Sequence, residues 1–205
     1  MSDLRVVYDC TGANLGKFTI PPGVGLAGYT TGSGGVQWST AQLNARPGTI
    51  QIDQSPLLTT NNGLADVLDY EPGAATLADL VPWYKAAKQN YDHAVRPGQR
   101  WPAVYTSAAN LTPVANEFVK AGVTGPRLWI AHWDLPIADA VSMLVNSGGP
   151  FPVIGVQVHN AGLYDVSLFR ADWLDAVSRP LPKPVPKPTT AEMITAAQLI
   201  LRGLS

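Results

Sequence analysis

The chain of 205 residues contains a single cysteine, Cys10. One thiol cannot form an internal disulfide, and zinc sites built from thiolates need several cysteines. Cys10 follows Asp9 on a predicted strand, so it should face the opposite side and fill space as a small apolar group. The composition therefore excludes a disulfide scaffold and a cysteine-rich zinc domain, and it leaves the redox compartment open.

Charge is also scarce. Only 14% of the residues are charged, the formal net charge is −1, and 46% of the residues are hydrophobic. A broad electrostatic attraction to nucleic acid or to an anionic membrane is not expected from this balance. The chain should fold around one sizeable core, and a neutral polymer suits it better as a partner than nucleic acid does.

The usual signatures of cofactor and metal sites are missing. The three histidines, His93, His132 and His159, do not show the spacing of a metal-binding pair, and no Gly-x-Ser-x-Gly nucleophile motif occurs. A glycine-rich stretch at residues 31–35 has no lysine to hold a phosphate. We predict neither a cofactor nor a metal.

Long apolar segments are absent as well. No run approaches the roughly 18 residues of a membrane span, and residues 1–9 lack the charged and apolar regions of a Sec signal. These features predict a protein that is made in the cytoplasm and is not inserted into a membrane.

Strand-like and helix-like segments alternate along most of the chain. Helices are predicted near residues 40–45, 76–93, 110–121 and 138–145. Eight strands are predicted, at 5–10, 24–30, 49–53, 65–71, 101–107, 127–133, 152–158 and 163–169. This order favours a parallel sheet closed into a single (β/α)8-type TIM barrel, small and irregular.

The composition changes after this region. We assign residues 1–178 to the barrel and the proline-rich residues 179–188 to a linker of polyproline type. Residues 189–205 have the periodicity of an amphipathic helix. That helix could dock back onto the barrel or pair with another chain, and both placements stay open.

Carboxylates at the end of an apolar strand are the strongest chemical signal. Asp69 and Glu71 are two residues apart, so they should share a face with Val67, which marks that face as interior. Acids buried without partners cost several kcal/mol. The pair is therefore either an acid/base site at the mouth of a barrel or an exposed strand end with two solvated acids.

Other strands end in polar or aromatic residues too, and active sites of such barrels form at the carboxyl ends of strands. Tyr29, Tyr105 and Trp133 could stack on sugar rings, although core packing is the alternative for each. The residues at predicted carboxyl ends are Asp9, Asp53, Asp69, Glu71, Tyr105, Trp133, Asp134 and Gln157.

This pattern resembles glycoside hydrolase family 25, the lysozymes that cut bacterial peptidoglycan. It also looks similar to divergent glycoside-hydrolase-like barrels of actinobacteria and their phages. The resemblance covers about residues 4–177. The matching pieces are Tyr8-Asp9, Leu68-Asp69-Tyr70-Glu71, Val104-Tyr105-Thr106-Ser107, Leu128-Trp129-Ile130-Ala131, Gly155-Val156-Gln157 and Tyr164-Asp165-Val166-Ser167-Leu168-Phe169.

The resemblance implies a role for each of four acids. Glu71 would be the general acid/base, Asp69 would orient or stabilise the substrate's acetamido group, and Asp9 and Asp165 would complete an acidic cleft. The set of substrate-binding candidates comprises Tyr29, Asp53, Tyr105, Trp133, Asp134 and Gln157. The sequence departs from the family in Ile52-Asp53-Gln54, where an aromatic is expected, and in Val156-Gln157, where a Trp-Gln pair is usual.

The resemblance implies an endolysin-like muramidase that acts at the bacterial cell wall after release from the cytoplasm. The positive charge at the anomeric carbon could be stabilised by a carboxylate or by the substrate's own acetamido group. Two other functions stay open: a catalytically inactive glycan-binding barrel in a phage or cell-surface structure, and a hydrolase for a different polysaccharide.

Overall fold

A computed structural model describes residues 3–32, 35–54, 63–96 and 98–176. These residues form one closed barrel in which eight strands are hydrogen-bonded in sequence order. The strands are β1 (Leu4–Cys10), β2 (Gly25–Tyr29), β3 (Ile50–Asp53), β4 (Val67–Tyr70), β5 (Ala103–Ser107), β6 (Arg127–Ala131), β7 (Val153–Asn160) and β8 (Asp165–Arg170).

Five α-helices accompany the strands in the described part of the chain. They are α1 (Thr40–Asn44), α2 (Leu77–Asp92), α3 (Leu111–Lys120), α4 (Ile137–Val145) and α5 (Ala171–Asp175), and a single 3-10 turn, Ala108–Asn110, precedes α3. Ser39 begins α1 with a reciprocal capping box to Gln42, as the predicted start at residues 39–40 requires. None of these helices is long and apolar enough to cross a membrane.

The prediction of a (β/α)8-type TIM barrel is wrong. The barrel is closed and has eight strands, but no helix lies between β1 and β2 or between β7 and β8. Strands β1 to β7 run parallel to one another, whereas β8 runs antiparallel to both of its neighbours, β7 and β1. The fold is a closed β-barrel with a few short helices, not a barrel of alternating strands and helices.

The length of one connection explains the antiparallel strand. Only residues 161–164 separate β7 from β8. A parallel crossover needs about a dozen residues, whereas a hairpin needs only a few. The chain therefore has to return antiparallel. The connection from β1 to β2 contains Gly12, Gly16 and Pro21-Pro22-Gly23, which disfavour a helix there.

The strands divide their side chains between two apolar regions. One face of each strand fills the barrel interior, with Val7, Ile52, Val67, Trp129 and Phe169 among the buried residues. The other face packs outward against the helices and loops. This alternation decides which polar side chains reach the inside of the barrel.

The outer layer approaches the barrel closely at β2. The indole nitrogen of Trp38 donates to the carbonyl of Cys10 at 2.8 Å. A Cβ atom at Gly28 would lie 2.3 Å from the Trp38 ring. Glycine is therefore required for Trp38 to seal this side of the barrel. Cys10 is buried in the same outer cluster, as its predicted packing role requires.

The predicted linker, residues 179–188, and the predicted helix, residues 189–205, lie outside the described residues. The structure therefore concerns the predicted barrel region alone.

Candidate functional site

Strand periodicity brings two of the predicted acids to the inner face. Val7 and Val67 lie in the barrel interior, so Asp9 and Asp69, each two residues further on, face the same way. Both carboxylates are buried. Glu71 follows directly after β4 at the same end of the barrel and is half-buried.

The antiparallel strand delivers a third acid to this face. Asp165 is the first residue of β8 and is the direct cross-strand partner of Asp9 on β1. Directly opposed residues of an antiparallel pair project to the same side of the sheet. The strand that makes the fold depart from the expected barrel therefore also places Asp165 against Asp9.

A β-bulge turns Gln157 toward the acids. Leu128 pairs with Val153 and Trp129 pairs with Gly155, so Ile154 is an extra residue in β7. The bulge shifts the alternation by one, which sends Gln157 inward and leaves Val156 and Val158 facing α4. The bulge depends on Gly155, because a Cβ atom there would lie 2.6 Å from the ring of Phe169.

Gln157 connects the tyrosine and the acids through its amide. Its Oε1 accepts a short hydrogen bond from the hydroxyl of Tyr105, and its Nε2 donates to Oδ2 of Asp9 at 3.2 Å. A hydrogen bond from Gln157 also opposes the rise in the pKa of Asp165. The buried amide therefore uses both its acceptor oxygen and its donor nitrogen within the site.

Burial and mutual repulsion raise the pKa of the acids. Burial raises the pKa of Asp69 to about 7, and a hydrogen bond from Gln54 opposes the rise while Glu71 adds to it. Burial and the charge of Glu71 also bring the pKa of Asp165 to about 6. The pKa of Asp9 rises well above its ordinary value because of burial and the charges of Asp165, Asp69 and Glu71. The charge of Glu71 therefore contributes to the raised pKa of each of the three aspartates.

Glu71 is suited to carry a proton. Burial raises its pKa, and a hydrogen bond from Tyr105 opposes the rise. Tyr105 has one hydroxyl proton but faces two acceptors, Gln157 and an ionised Glu71. A protonated Glu71 satisfies both contacts, because it can donate to the Tyr105 oxygen while Tyr105 donates to Gln157. Burial and the neighbouring carboxylates raise the pKa of Tyr105 itself, so the phenol stays neutral.

Among the described residues, only one of the two carboxylate oxygens of Asp69 has a hydrogen-bond partner. Its Oδ2 accepts a hydrogen bond from Nε2 of Gln54 at 3.0 Å, while its buried Oδ1 has no partner among the described residues. A buried carboxylate oxygen without a partner is costly. It is free to accept a hydrogen bond from a bound molecule.

The structure places Asp53 outside this group. Ile52 points into the barrel, so Asp53 points outward, where Oδ2 accepts from the indole of Trp83 at 3.2 Å and Oδ1 from Thr31 at 2.6 Å. The prediction of Asp53 as a substrate-binding residue is therefore corrected to a packing role between the barrel and α2. The residue that reaches the site is Gln54, which sequence reasoning missed, although the period of Ile50, Ile52 and Gln54 could have indicated it.

The other predicted residues lie at the same end of the barrel. Tyr29 ends β2 and packs against the interior cluster, and its pKa is raised by burial and then by Asp9, Asp69, Asp165 and Glu71. Trp133 and Asp134 follow β6, and the Trp133 side chain is 44% exposed. Asp134 adopts a left-handed backbone with φ 60°, which is uncommon outside glycine.

The acids do not form a metal site in the described part of the chain. No group of three or more His, Cys, Asp or Glu residues there is arranged to hold a metal ion. Burial and repulsion instead favour proton-bearing carboxyls, since no cation of the described residues is among the causes of the shifts in their pKa values.

The buried acids lower the free energy of unfolding at neutral pH. Asp69 and Asp165 have folded pKa values of about 7 and about 6, against about 4 in an unfolded chain. Between those values the folded state binds more protons, so the free energy of unfolding falls as the pH rises from about 4 to about 7. Clusters of this kind are typical of functional sites, since packing alone would favour apolar residues.

The chain was compared with protein-family models, with curated proteins and with solved structures, and no match was found in any of the three comparisons.

Proposed function

We propose that this chain is a glycoside hydrolase that cleaves the β-1,4 bond between N-acetylmuramic acid and N-acetylglucosamine in bacterial peptidoglycan. One observation carries the proposal. A half-buried Glu71 with a raised pKa lies among three further carboxyls, Asp9, Asp69 and Asp165, at one end of the barrel. Such an arrangement suits general acid catalysis beside a stabilised positive charge.

Glu71 supplies the proton in this mechanism. As the bond between the anomeric carbon and the glycosidic oxygen breaks, the proton of Glu71 moves to that oxygen, and the leaving sugar departs with a hydroxyl group. Glu71 is left as a carboxylate and takes a proton from the water that completes hydrolysis. While Glu71 is a carboxylate, the Tyr105 hydroxyl stabilises it by donating a hydrogen bond and keeps its own proton.

The remaining acids stabilise the positive charge that develops on the sugar. The Oδ1 atom of Asp69, which has no hydrogen-bond partner in the part of the chain that the structure describes, can contact the substrate's acetamido group or stabilise the anomeric carbon. Asp165 is only partly buried, whereas Asp9 and Asp69 are both buried. We assign substrate contact to Asp165 because of its exposure and to Asp69 through its Oδ1, and a positioning role to Asp9, whose Oδ2 accepts a hydrogen bond from Gln157.

The surroundings favour a sugar as substrate. The net charge of −1 gives no reason to expect a polyanionic partner, and the exposed ring of Trp133 offers an apolar face at the same end of the barrel. Sugar rings stack on such faces. Under this proposal the partners of the chain are bacterial cell-wall glycans, and the chain acts at the cell wall.

Mass spectrometry of the fragments released from purified peptidoglycan tests this proposal. We expect soluble disaccharide-peptide fragments with a new reducing end at N-acetylmuramic acid. Release of fragments cut within the peptides, or of reducing ends at N-acetylglucosamine, would contradict the assigned bond. Retention on peptidoglycan with no soluble fragments would instead identify the chain as a glycan-binding barrel without activity.

A further inference from the structure

A cavity lies at the opposite end of the barrel from the acids. It has a volume of about 800 Å³ and is lined by residues from the beginnings of β1, β2 and β3, by the loop between α1 and β3, and by α5. Ligand sites in proteins commonly measure about 300–1,000 Å³. The cavity is therefore large enough for a small organic ligand.

The lining of this cavity is rich in arginine. Arg5, Arg46, Arg96 and Arg100 all contribute to it. Two carboxylates face these four cations: Asp175, which lines the cavity and binds Arg5, and Asp66, which binds both Arg96 and Arg100. Among the described residues of this cavity two formal positive charges remain in excess, in a chain whose net charge is −1. The two ends of the barrel therefore carry opposite charge.

Two of the arginines are held rigidly. Arg100 is buried, and its guanidinium donates to the carbonyl of Leu174 at 3.2 Å and to that of Gly48 at 2.7 Å, besides its ion pair with Asp66. Arg96 donates to the carbonyl of Leu64 at 2.7 Å as well as to Asp66. These bonds fix the position of both guanidinium groups without neutralising both charges, which is how a protein preorganises a cationic site.

Arg46 differs from the others. It is half-buried in the loop that follows α1, and among the residues that the structure describes no carboxylate forms an ion pair with it. A guanidinium in this position keeps its planar set of donors for a ligand, and such donors match the oxygens of phosphate or carboxylate groups in pairs.

We propose that this cavity binds a small anionic ligand bearing a phosphate or pyrophosphate group, with Arg46 as its direct partner and Arg96 and Arg100 supplying the surrounding positive charge. The proposal does not depend on the acids at the other end of the barrel. It gives the chain a second binding site, separate from the glycan site by the full length of the strands.

Isothermal titration calorimetry with inorganic pyrophosphate tests this site in the full-length chain. We expect saturable binding that weakens as salt is added, because screening reduces the attraction between exposed charges. The variant Arg46→Gln should bind about tenfold more weakly, since a hydrogen bond to a charged group contributes roughly a factor of ten or more to the binding constant.

Lys85→Gln is the matched control. Lys85 is an exposed cation on α2 and is not part of the cavity lining, so this variant loses the same charge and should bind pyrophosphate as the unaltered chain does. Denaturation curves of both variants verify that they are folded. The absence of binding at millimolar pyrophosphate, or equal binding by Arg46→Gln and Lys85→Gln, would overturn the proposal.

Discussion

Replacing Glu71 by glutamine should lower the rate of peptidoglycan cleavage by at least about a hundredfold, because general acid catalysis contributes factors of about 10²–10⁴. Glutamine keeps the size of the side chain and can still donate a hydrogen bond to Tyr105, but it has no proton to transfer. The release of reducing sugar ends from purified cell walls measures the loss. Circular dichroism should show the same folded structure for both proteins.

Glu117→Gln is the control for this experiment. Glu117 lies on α3 with a partly exposed side chain, and its ion pair among the described residues is with Lys120 at 3.8 Å. The same chemical change there should leave the cleavage rate unaltered. If Glu71→Gln retained full activity under conditions where the unaltered chain cleaves peptidoglycan, Glu71 could not be the proton donor and the mechanism would have to be abandoned.

Replacing Asp66 by asparagine should lower the free energy of unfolding by about 3–5 kcal/mol, the usual cost of removing one partner from a buried ion pair. Asp66 is fully buried between Arg96 and Arg100. It also accepts from the backbone nitrogens of Arg100 at 2.7 Å and Gln51 at 2.9 Å. Burial lowers the pKa of Arg100 and Asp66 opposes that fall, so the variant leaves two cations without their shared anion. Urea denaturation measures the difference.

Asp92→Asn provides the comparison for that measurement. Asp92 pairs with Lys88 one helical turn away, and both side chains are partly exposed. Pairs of this kind contribute only about 0.3–0.5 kcal/mol. A loss of similar size in both variants would mean that the Asp66 cluster is no more important to the fold than a surface ion pair.

The local sequence is sufficient to predict most strands and helices of the barrel. All eight predicted strands and the helices near residues 40–45, 76–93, 110–121 and 138–145 correspond to elements of the structure. The prediction that Asp69 shares an interior face with Val67 agrees with the place of Val67 in the cluster that fills the barrel. Alternation within one strand depends on local geometry alone, so a single sequence is sufficient to predict it.

The errors concern relations between strands. Strand direction depends on connection length, and the four residues before β8 are too few for a parallel crossover, which needs about a dozen. Gln157 is predicted as a site residue, but its inward direction cannot be derived from periodicity, because it depends on a bulge at Ile154 where Gly155 contacts Phe169 of the next strand. Asp53 is predicted from its position at the carboxyl end of a strand, but the inward direction of Ile52 assigns its side chain to the outer face.

The central claim is that burial and neighbouring charge raise the pKa values of four carboxyls at one end of the barrel. An NMR titration of the aspartate and glutamate side-chain carboxyls tests it most directly. We expect midpoints near 7 for Asp69 and near 6 for Asp165, and a midpoint for Asp9 well above its ordinary value. In Glu71→Gln, where one negative charge is removed, the midpoints of Asp69 and Asp165 should be lower. Independent titration of all four groups near pH 4, unchanged by Glu71→Gln, would contradict the account.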